Sequence, residues 1–174
     1  MAIKTILKEP NKLLRQISQP VEKVGELERE LMNDMLETMY SARGIGLAAI
    51  QIGVPKRIIV MDLSKEENKK LPMYFVNPVI AEKNNEKTTY EEGCLSVPNQ
   101  FAEIDRPSKC KVEYLDFNGV KQNLEAEGLL ATCIQHEMDH LEGILFIDYL
   151  SKLKKSMIVK KLTKQKEQSD RIVI

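Results

Sequence analysis

The segment GLLATCIQHEMDHLEG, residues 128–143, contains both histidines of the chain and decides its fold. His136 and His140 are four residues apart, so on a helix they project from one face and can bind a single ion. Gly143 stands where a left-handed residue commonly ends a helix. We therefore predict a metal-binding helix over residues 128–142, with Glu137 beside the ion as the group that takes a proton from bound water.

Two histidines leave a catalytic metal site short of its usual three protein ligands, and Cys94 is the best candidate for the third. It lies in EGCLS, residues 92–96, where a glycine beside the thiol would let the backbone approach the ion. A thiolate would also bind a borderline metal well. Of the other cysteines, Cys133 is predicted to line a pocket and Cys110 to lie in a sheet. Three cysteines, an odd number, are not typical of the disulfide framework of a secreted domain.

N-terminal to this site, apolar residues spaced by three and four predict an amphipathic helix over residues 24–43. Its apolar positions are Val24, Leu27, Leu31, Met35 and Met39. The segment GIGLAAIQ, residues 44–51, follows as a predicted loop against the metal, where the amide of Gln51 could donate a hydrogen bond to an oxygen that becomes negative. The segment has neither the third glycine of a dinucleotide fingerprint nor the Gly-Lys-Ser/Thr of a P-loop, which argues against nucleotide binding.

Residues rich in Val, Ile, Tyr and Phe predict strands at 57–63 and 73–82, separated by an exposed connection at 64–70. A β-hairpin is predicted from strands at 110–117 and 120–126 around Asn118-Gly119. A last helix follows, capped by Ser151, with apolar positions at Leu153, Met157, Ile158 and Leu162. This order does not alternate as in parallel α/β folds. It predicts an α+β fold with mostly antiparallel sheets packed around the central metal-binding helix, and a C-terminal helix.

The length of 174 residues and the hydrophobic content of 43% predict one domain over residues 1–174. The formal net charge of zero argues against a dedicated nucleic-acid site or a membrane as the main partner. From Ser151 onward, however, eight Lys or Arg stand against two Asp or Glu. No signal peptide, transit peptide or membrane-spanning run is seen, so we expect a cytoplasmic location, in the bacterial cytosol.

Taken together, GIGLAAIQ (44–51), EGCLS (92–96) and QHEMDHLEG (135–143) resemble, in this order, the three signature motifs of the peptide deformylases. Asn77-Pro78 and the compact length also resemble the bacterial or organellar enzymes. The resemblance implies a single peptide deformylase catalytic domain over 1–174. It also implies a hydrolase of linear amides that acts in protein biosynthesis, removing the formyl group from the N-terminal formylmethionine of nascent polypeptides as a co-translational modification.

By the same resemblance, Cys94, His136 and His140 would hold one divalent metal ion, leaving a fourth place for water. Ferrous iron is the expected native ion, and zinc, nickel or cobalt could occupy the site. Gln51 and the backbone N–H of Leu95 would hold the developing oxyanion. Glu137 would take the proton of the water and pass it to the departing amine.

The resemblance places Ile45, Gly46, Tyr90 and Gly93 in the substrate site. Independently of it, Leu129 and Cys133 fall on the helical stripe of the two histidines, which predicts an apolar wall suited to a methionine side chain. Ordinary core packing is the alternative for Leu129. Phe101 departs from the pattern, because several relatives carry an arginine there, near the peptide-binding groove.

In bacterial relatives a basic C-terminal helix helps the enzyme dock on the ribosome near the exit of the nascent chain, and the basic tail after Ser151 permits the same here. A solvated helix face is the alternative for that tail. For the chain as a whole, a metallopeptidase with the same helix motif is one alternative, against which Cys94 speaks. A structural metal site or a catalytically inactive homologue is another, against which an intact Glu137 speaks.

Overall fold

The structure is a computed structural model that describes residues 2–64 and 69–169. Three α-helices are described: α1 (Glu26–Ser41), α2 (Gly128–Leu141) and α3 (Lys152–Ser169). The strands are β1 (Gly46–Ala48), β2 (Ile58–Met61), β3 (Met73–Lys83), β4 (Lys87–Cys94), β5 (Val97–Pro107), β6 (Lys109–Leu115) and β7 (Lys121–Glu127). Every pairing between these strands is antiparallel, so the α+β prediction is confirmed.

A five-stranded sheet in the order β1-β2-β3-β6-β7 forms the centre of the molecule. Side chains of β2 alternate between its faces: Ile58 and Val60 pack with α1, whereas Ile59 and Met61 pack with α2. All four residues of β2 are buried, because helices cover both faces of this sheet. Strands β4 and β5 form a separate hairpin that packs on the other side of α2 and on α3. Helix α2 therefore lies between the two sheets.

The predicted stripe on α1 is wrong at its first turn. Met32, Met35 and Met39 are fully buried, but Leu27 is 74% exposed. Successive residues four apart rotate by about 40° around a helix of 3.6 residues per turn. Positions four apart that begin at Leu27 therefore turn gradually around the helix, and only the later ones, Met35 and Met39, face the sheet. Gly25 is the N-cap residue, so Val24 is buried before the helix begins.

The predicted hairpin around Asn118-Gly119 is confirmed, but its turn is longer than this dipeptide. Of the two residues only Gly119 has a positive φ, of 79°. The Asp116 carboxylate accepts hydrogen bonds from the backbone N–H groups of Asn118 and Val120, at 2.9 and 3.0 Å. The local aspartate therefore replaces the second left-handed residue that a two-residue turn would need.

Other segments agree with the prediction in part. The segment GIGLAAIQ contains strand β1 and most of a 3₁₀ helix, Ala49–Ile52, rather than a simple loop. Of the predicted connection at 64–70, residues 65–68 lie outside the described part of the chain. In α3, Leu162 is buried but Leu153 and Met157 are 72% and 63% exposed. Within residues 2–64 and 69–169, no helix combines the length and apolar character that crossing a membrane requires.

Candidate metal centre and active site

Helix α2 and strand β4 bring the three predicted metal ligands together. The ligand atoms of Cys94, His136 and His140 all lie within 4.8 Å of one another. The Cys94 Sγ is 3.3 Å from the His140 Nε2. Two ligands of one tetrahedral ion, with bond lengths of about 2.3 Å to sulfur and 2.1 Å to nitrogen, lie roughly 3.5 Å apart. The donor set and its spacing therefore fit a single metal ion.

The helical spacing of the histidines explains why they share a site, whereas Cys94 arrives through the β4–β5 hairpin. The regular register of these strands ends between Gly93 and Cys94, where Cys94 pairs with Val97 across a tight turn. That turn places the thiol beside His140 of α2. Burial lowers the pKa of His140 well below its usual value, and the nearby positive charge of Arg106 adds to the effect. Its imidazole is therefore neutral, as a metal ligand must be.

Behind His136 lies a buried network of charged side chains that the sequence analysis did not identify. The Nδ1 of His136 is 2.8 Å from a carboxylate oxygen of Glu92, which leaves Nε2 for the metal. Arg106, only 3% exposed, donates to both oxygens of Glu92 at 2.5 and 3.0 Å and to Asp139 at 2.8 Å. The ring of Tyr149 lies against this guanidinium. Burial raises the pKa of Glu92, but the hydrogen bonds from His136 and Arg106 outweigh it and lower the pKa overall.

One sequence signal could have revealed Glu92, since it stands two residues before Cys94 in the quoted motif. Alternation along a strand places residues 92 and 94 on the same face, so a carboxylate there can reach a histidine that shares the ion with Cys94. No comparable local signal marks Arg106, which lies on the next strand and pairs with Thr88 in the register.

Glu137 is 6% exposed and lies against the backbone of β1. A Cβ added at Gly46 would collide with its carboxylate, so the bare glycine leaves the space that this side chain occupies. Burial raises the pKa of Glu137 to about 7. Among the described residues, its Oε2 has no hydrogen-bond partner. The carboxylate therefore lies in the cavity wall, beside the predicted ligand His136, with one buried oxygen that no described residue satisfies.

Gln51 comes from the 3₁₀ helix and is oriented by the backbone. Its Oε1 accepts from the N–H of Ala48 at 2.8 Å, which fixes the opposite end of the amide toward the metal ligands. The Nε2 donates to the Ser96 hydroxyl at 3.1 Å and lies 3.6 Å from the Cys94 Sγ. In the turn, Leu95 lies between Cys94 and Ser96. The structure thus places Gln51 and Leu95 beside Cys94.

A cavity of about 510 Å³ is lined by two of the predicted ligands, Cys94 and His136. Leu129 and Cys133 line it from α2, one at 39% and the other at 8% exposure. All the remaining predicted substrate-site residues line it too, namely Ile45, Gly46, Tyr90 and Gly93. Burial raises the pKa of the Cys133 thiol to about 12, so this cysteine is an uncharged part of the wall. Cys110, by contrast, is buried in β6, away from the site, as predicted.

The comparisons with known proteins agree with this geometry. The family model described as polypeptide deformylase matches residues 3–156. The chain belongs to the peptide deformylase family. The peptide deformylase of Pelagibacter ubique is 74% identical over 174 residues, covering 100% of both chains. This deformylase is thus a metal-dependent hydrolase that removes the N-formyl group from nascent polypeptides.

Solved deformylase structures have the same fold. The enzyme from Ehrlichia chaffeensis superposes with a TM-score of 0.90 at 43% identity, covering 98% of this chain and 100% of that one. A class I type b peptide deformylase from Acinetobacter baumannii, solved with Met-Ala-Ser bound, gives a TM-score of 0.81 at 32% identity, covering 86% and 99%. These relatives favour deformylation over the metallopeptidase and inactive alternatives.

Proposed function

We propose that Cys94, His136 and His140 hold ferrous iron as the native metal of this deformylase, with zinc, nickel or cobalt as possible substitutes. The single observation that carries the assignment is the convergence of one thiol and two imidazoles within 4.8 Å. Soft and borderline ligands of this kind suit divalent iron, cobalt, nickel and zinc rather than magnesium or calcium. When bound, such an ion supplies Lewis-acid activation of water near neutral pH.

Glu137 carries the proton in the proposed mechanism. Its Oε2 has no hydrogen-bond partner among the described residues, and a carboxylate whose pKa is raised to about 7 can both accept and return a proton near neutral pH. Glu137 would accept the proton of the attacking water and deliver it to the nitrogen of the departing amine. Protonation is required because an amine anion is too poor a leaving group to depart.

Gln51 and the backbone N–H of Leu95 would stabilise the oxygen of the formyl group as it becomes negative. The Gln51 amide is already fixed by Ala48, so little reorganisation is needed when substrate replaces its contact with Ser96. A preorganised donor of this type contributes about 3 kcal/mol to transition-state stabilisation in other hydrolases. Gln51 and the Leu95 N–H would thus act on the same oxygen atom.

The methionine side chain of the substrate would occupy the cavity along α2. Leu129 and Cys133 offer an apolar wall, and Tyr90 and Ile45 line the same space. Gly46 of β1 and Gly93 of β4 line the cavity as well. The peptide Met-Ala-Ser bound in the Acinetobacter baumannii relative is the matching product class.

The experiment that tests this function is formate release from formyl-Met-Ala-Ser by protein purified without oxygen, alongside its Glu137→Gln variant, with metal content measured for both. The parent should release formate, and the variant should keep its metal but lose at least about 10²-fold in kcat, the usual range for a general acid-base residue. Retained activity in the metallated variant would exclude Glu137 as the proton carrier. No release by the metal-loaded parent would exclude deformylation.

We also propose a cytoplasmic site of action on the ribosome, near the exit of the nascent chain. The relative from Pelagibacter ubique is a bacterial enzyme, and the substrate is a nascent polypeptide. Helix α3 presents exposed lysines, among them Lys154, Lys160, Lys161 and Lys164, that suit a polyanionic surface. Charge reversal at Lys160, Lys161 and Lys164 should abolish co-sedimentation with ribosomes, whereas reversal of the exposed Lys12, Lys23 and Lys121 should not. Equal co-sedimentation of both variants would exclude docking through α3.

A further inference from the structure

The short segment Gly44–Gly46, which leads from α1 into β1, contacts two groups of the proposed mechanism. A Cβ built on Gly44 would lie 2.7 Å from the Cδ1 of Leu95, so this glycine packs closely on the residue whose backbone N–H is the proposed oxyanion donor. A Cβ built on Gly46 would collide with the Glu137 carboxylate. The position of this segment therefore bears on both the oxyanion donor and the proton carrier.

One hydrogen bond holds the middle of this segment. The backbone N–H of Asp62, the residue that follows β2, donates to the carbonyl oxygen of Ile45 at 2.9 Å. Ile45 stands between the two glycines, and its own side chain is 46% exposed. Because glycine backbones adopt many conformations and the exposed side chain packs little, the segment is fixed mainly through its backbone. Asp62 therefore fixes the centre of the segment.

The carboxylate of Asp62 is itself buried and hydrogen-bonded. Asp62 is 5% exposed, and its carboxylate accepts from the Tyr40 hydroxyl at 2.6 Å and from the backbone N–H groups of Ser64 and Leu71 at 2.9 and 3.0 Å. Burial raises the pKa of Asp62, but these hydrogen bonds outweigh it and lower the pKa overall. The carboxylate is therefore ionised and a strong acceptor, and its partners hold the residue that binds Ile45.

Tyr40 connects this carboxylate to α1. Ser64 and Leu71 belong to the connection that follows β2, whereas Tyr40 lies in the last turn of α1, and its ring packs on the core between α1 and the five-stranded sheet. The Nζ of Lys70 lies 4.3 Å from the centroid of this ring. Burial and the bond to Asp62 raise the pKa of Tyr40, so its hydroxyl stays protonated and donates. The bond thus ties the helix end from which the segment leaves to the strand end that holds it.

We propose that Tyr40 and Asp62 are positioning residues for deformylation, and that the hydrogen bond between them keeps the Gly44–Gly46 segment in place. The segment in turn sets Leu95 and Glu137. This inference rests on the mechanism proposed above, in which those two residues act on the substrate and the attacking water. The described residues that line the active-site cavity include neither Tyr40 nor Asp62, so the pair acts through the segment. A displacement of about 1 Å at reacting groups can cost on the order of 10²-fold in rate.

The test is Tyr40→Phe, which removes the hydroxyl and keeps the ring. Formate release from formyl-Met-Ala-Ser by the metal-loaded variant should fall about tenfold in kcat with KM within about twofold, because the displaced groups act in the transition state. A merely structural role would lower Tm or the metal-loaded fraction and leave kcat per loaded molecule unchanged. Tyr114→Phe is the matched control, since that ring packs on Phe75 in the other core, and it should keep the parental kcat and KM.

A double-mutant cycle assigns the effect to the pair. If Tyr40 and Asp62 act through one hydrogen bond, the double variant Tyr40→Phe/Asp62→Asn should lose no more kcat than the weaker of the single variants. Should Asp62→Asn fail to fold, Tyr40→Phe decides alone. Parental kcat in metal-loaded Tyr40→Phe would overturn the proposal, as would losses that multiply in the cycle or an equal loss in Tyr114→Phe. In each of these cases release by the parent shows that deformylation itself stands, whereas no release by the metal-loaded parent would overturn both.

Discussion

At the scale of single residues, the Glu137 side chain explains why position 46 is a glycine. Its missing Cβ leaves the space taken by the Glu137 carboxylate, and its backbone belongs to β1, which pairs with the buried β2 and cannot easily shift. The Glu137 carboxylate therefore packs directly against the backbone of β1, and this contact keeps the carboxylate in one position.

Gly46→Ala should lower kcat for formate release by at least about tenfold, because an off-rotamer Glu137 costs about 1 kcal/mol or more and misplaces the proton. Gly25→Ala, at the N-cap of α1, is the control and should stay near wild-type activity. Thermal unfolding of both variants separates loss of fold from loss of positioning. Wild-type kcat in folded Gly46→Ala would contradict the assigned contact.

Glu92 contacts the proposed metal ligand His136 and is not itself a proposed ligand. Glu92→Gln should weaken metal binding by about 10- to 100-fold, since the carboxylate orients His136 and increases its basicity. Competition with a chelator measures this affinity. The neighbouring Glu91→Gln removes an exposed charge of the same kind and should leave it unchanged; equal loss in both variants would indicate general electrostatics instead.

At the scale of elements, α3 is anchored through a few residues of one face. Leu162 is 4% exposed and packs with β5 and the 3₁₀ helix Phe146–Tyr149, whereas Leu153 faces solvent. Leu162→Ala should reduce the free energy of unfolding by about 2–4 kcal/mol, and Leu153→Ala by less than about 0.5 kcal/mol. Urea titration measures both. A large effect at Leu153 would mean that this face is covered.

The first turn of α3 is also held by charge. Asp148 accepts from Arg15 at 2.6 Å and from the backbone N–H of Leu145 at 3.0 Å, and pairs with Lys155 at 2.6 Å. Burial raises the pKa of Asp148, but these partners outweigh it and lower its pKa overall. The ionised group therefore stabilises the fold above its unfolded pKa of about 3.9, and the contribution is lost as the pH falls through the lower folded value.

Asp148→Asn should therefore cost about 1–3 kcal/mol of unfolding free energy at pH 7, and progressively less below about pH 4. Denaturant titrations of parent and variant at pH 7 and pH 3, both without metal, measure the difference. A cost that is the same at both pH values would show that packing, rather than ionisation, accounts for the effect.

At the scale of the whole molecule, a metal bound at the proposed site would join the hairpin to the central helix. Cys94 comes from β4 and the two histidines from α2, so an ion bound to all three links the two sheets through α2. A ligand that binds only the folded state stabilises it in proportion to its affinity. Removing the metal should lower Tm by several degrees, since roughly 1 kcal/mol corresponds to ~2–4 °C in a domain of this size.

Scanning calorimetry of metal-loaded and chelator-treated protein tests this link. Re-addition of the ion should restore Tm for the parent, but not for Cys94→Ser, which loses the thiolate. Cys110→Ser is the matched control, since this cysteine is buried in β6 away from the site, and it should keep the metal-dependent difference. An unchanged Tm on metal removal would mean that hairpin and helix are held by packing alone.

The sequence by itself determined the features that depend on residues close together in the chain. Helical spacing places His136 and His140 on one face, Gly143 follows the end of α2 with a φ of 72°, and the continuous apolar run from Ile58 to Met61 suits a buried strand. The order of helices and strands was enough for the α+β class. These properties follow from local geometry, because the relevant residues are only a few positions apart.

Only the tertiary structure decided which distant residues meet. Arg106 reaches Glu92 and Asp139, 14 and 33 residues away, and its burial is possible only because both carboxylates are present. The contact of Gly46 with Glu137, the exposure of Leu27 and the setting of Phe101 on Gly93 likewise depend on how the elements pack. Local patterns carry no information on such contacts, since each results from the relative placement of whole strands and helices.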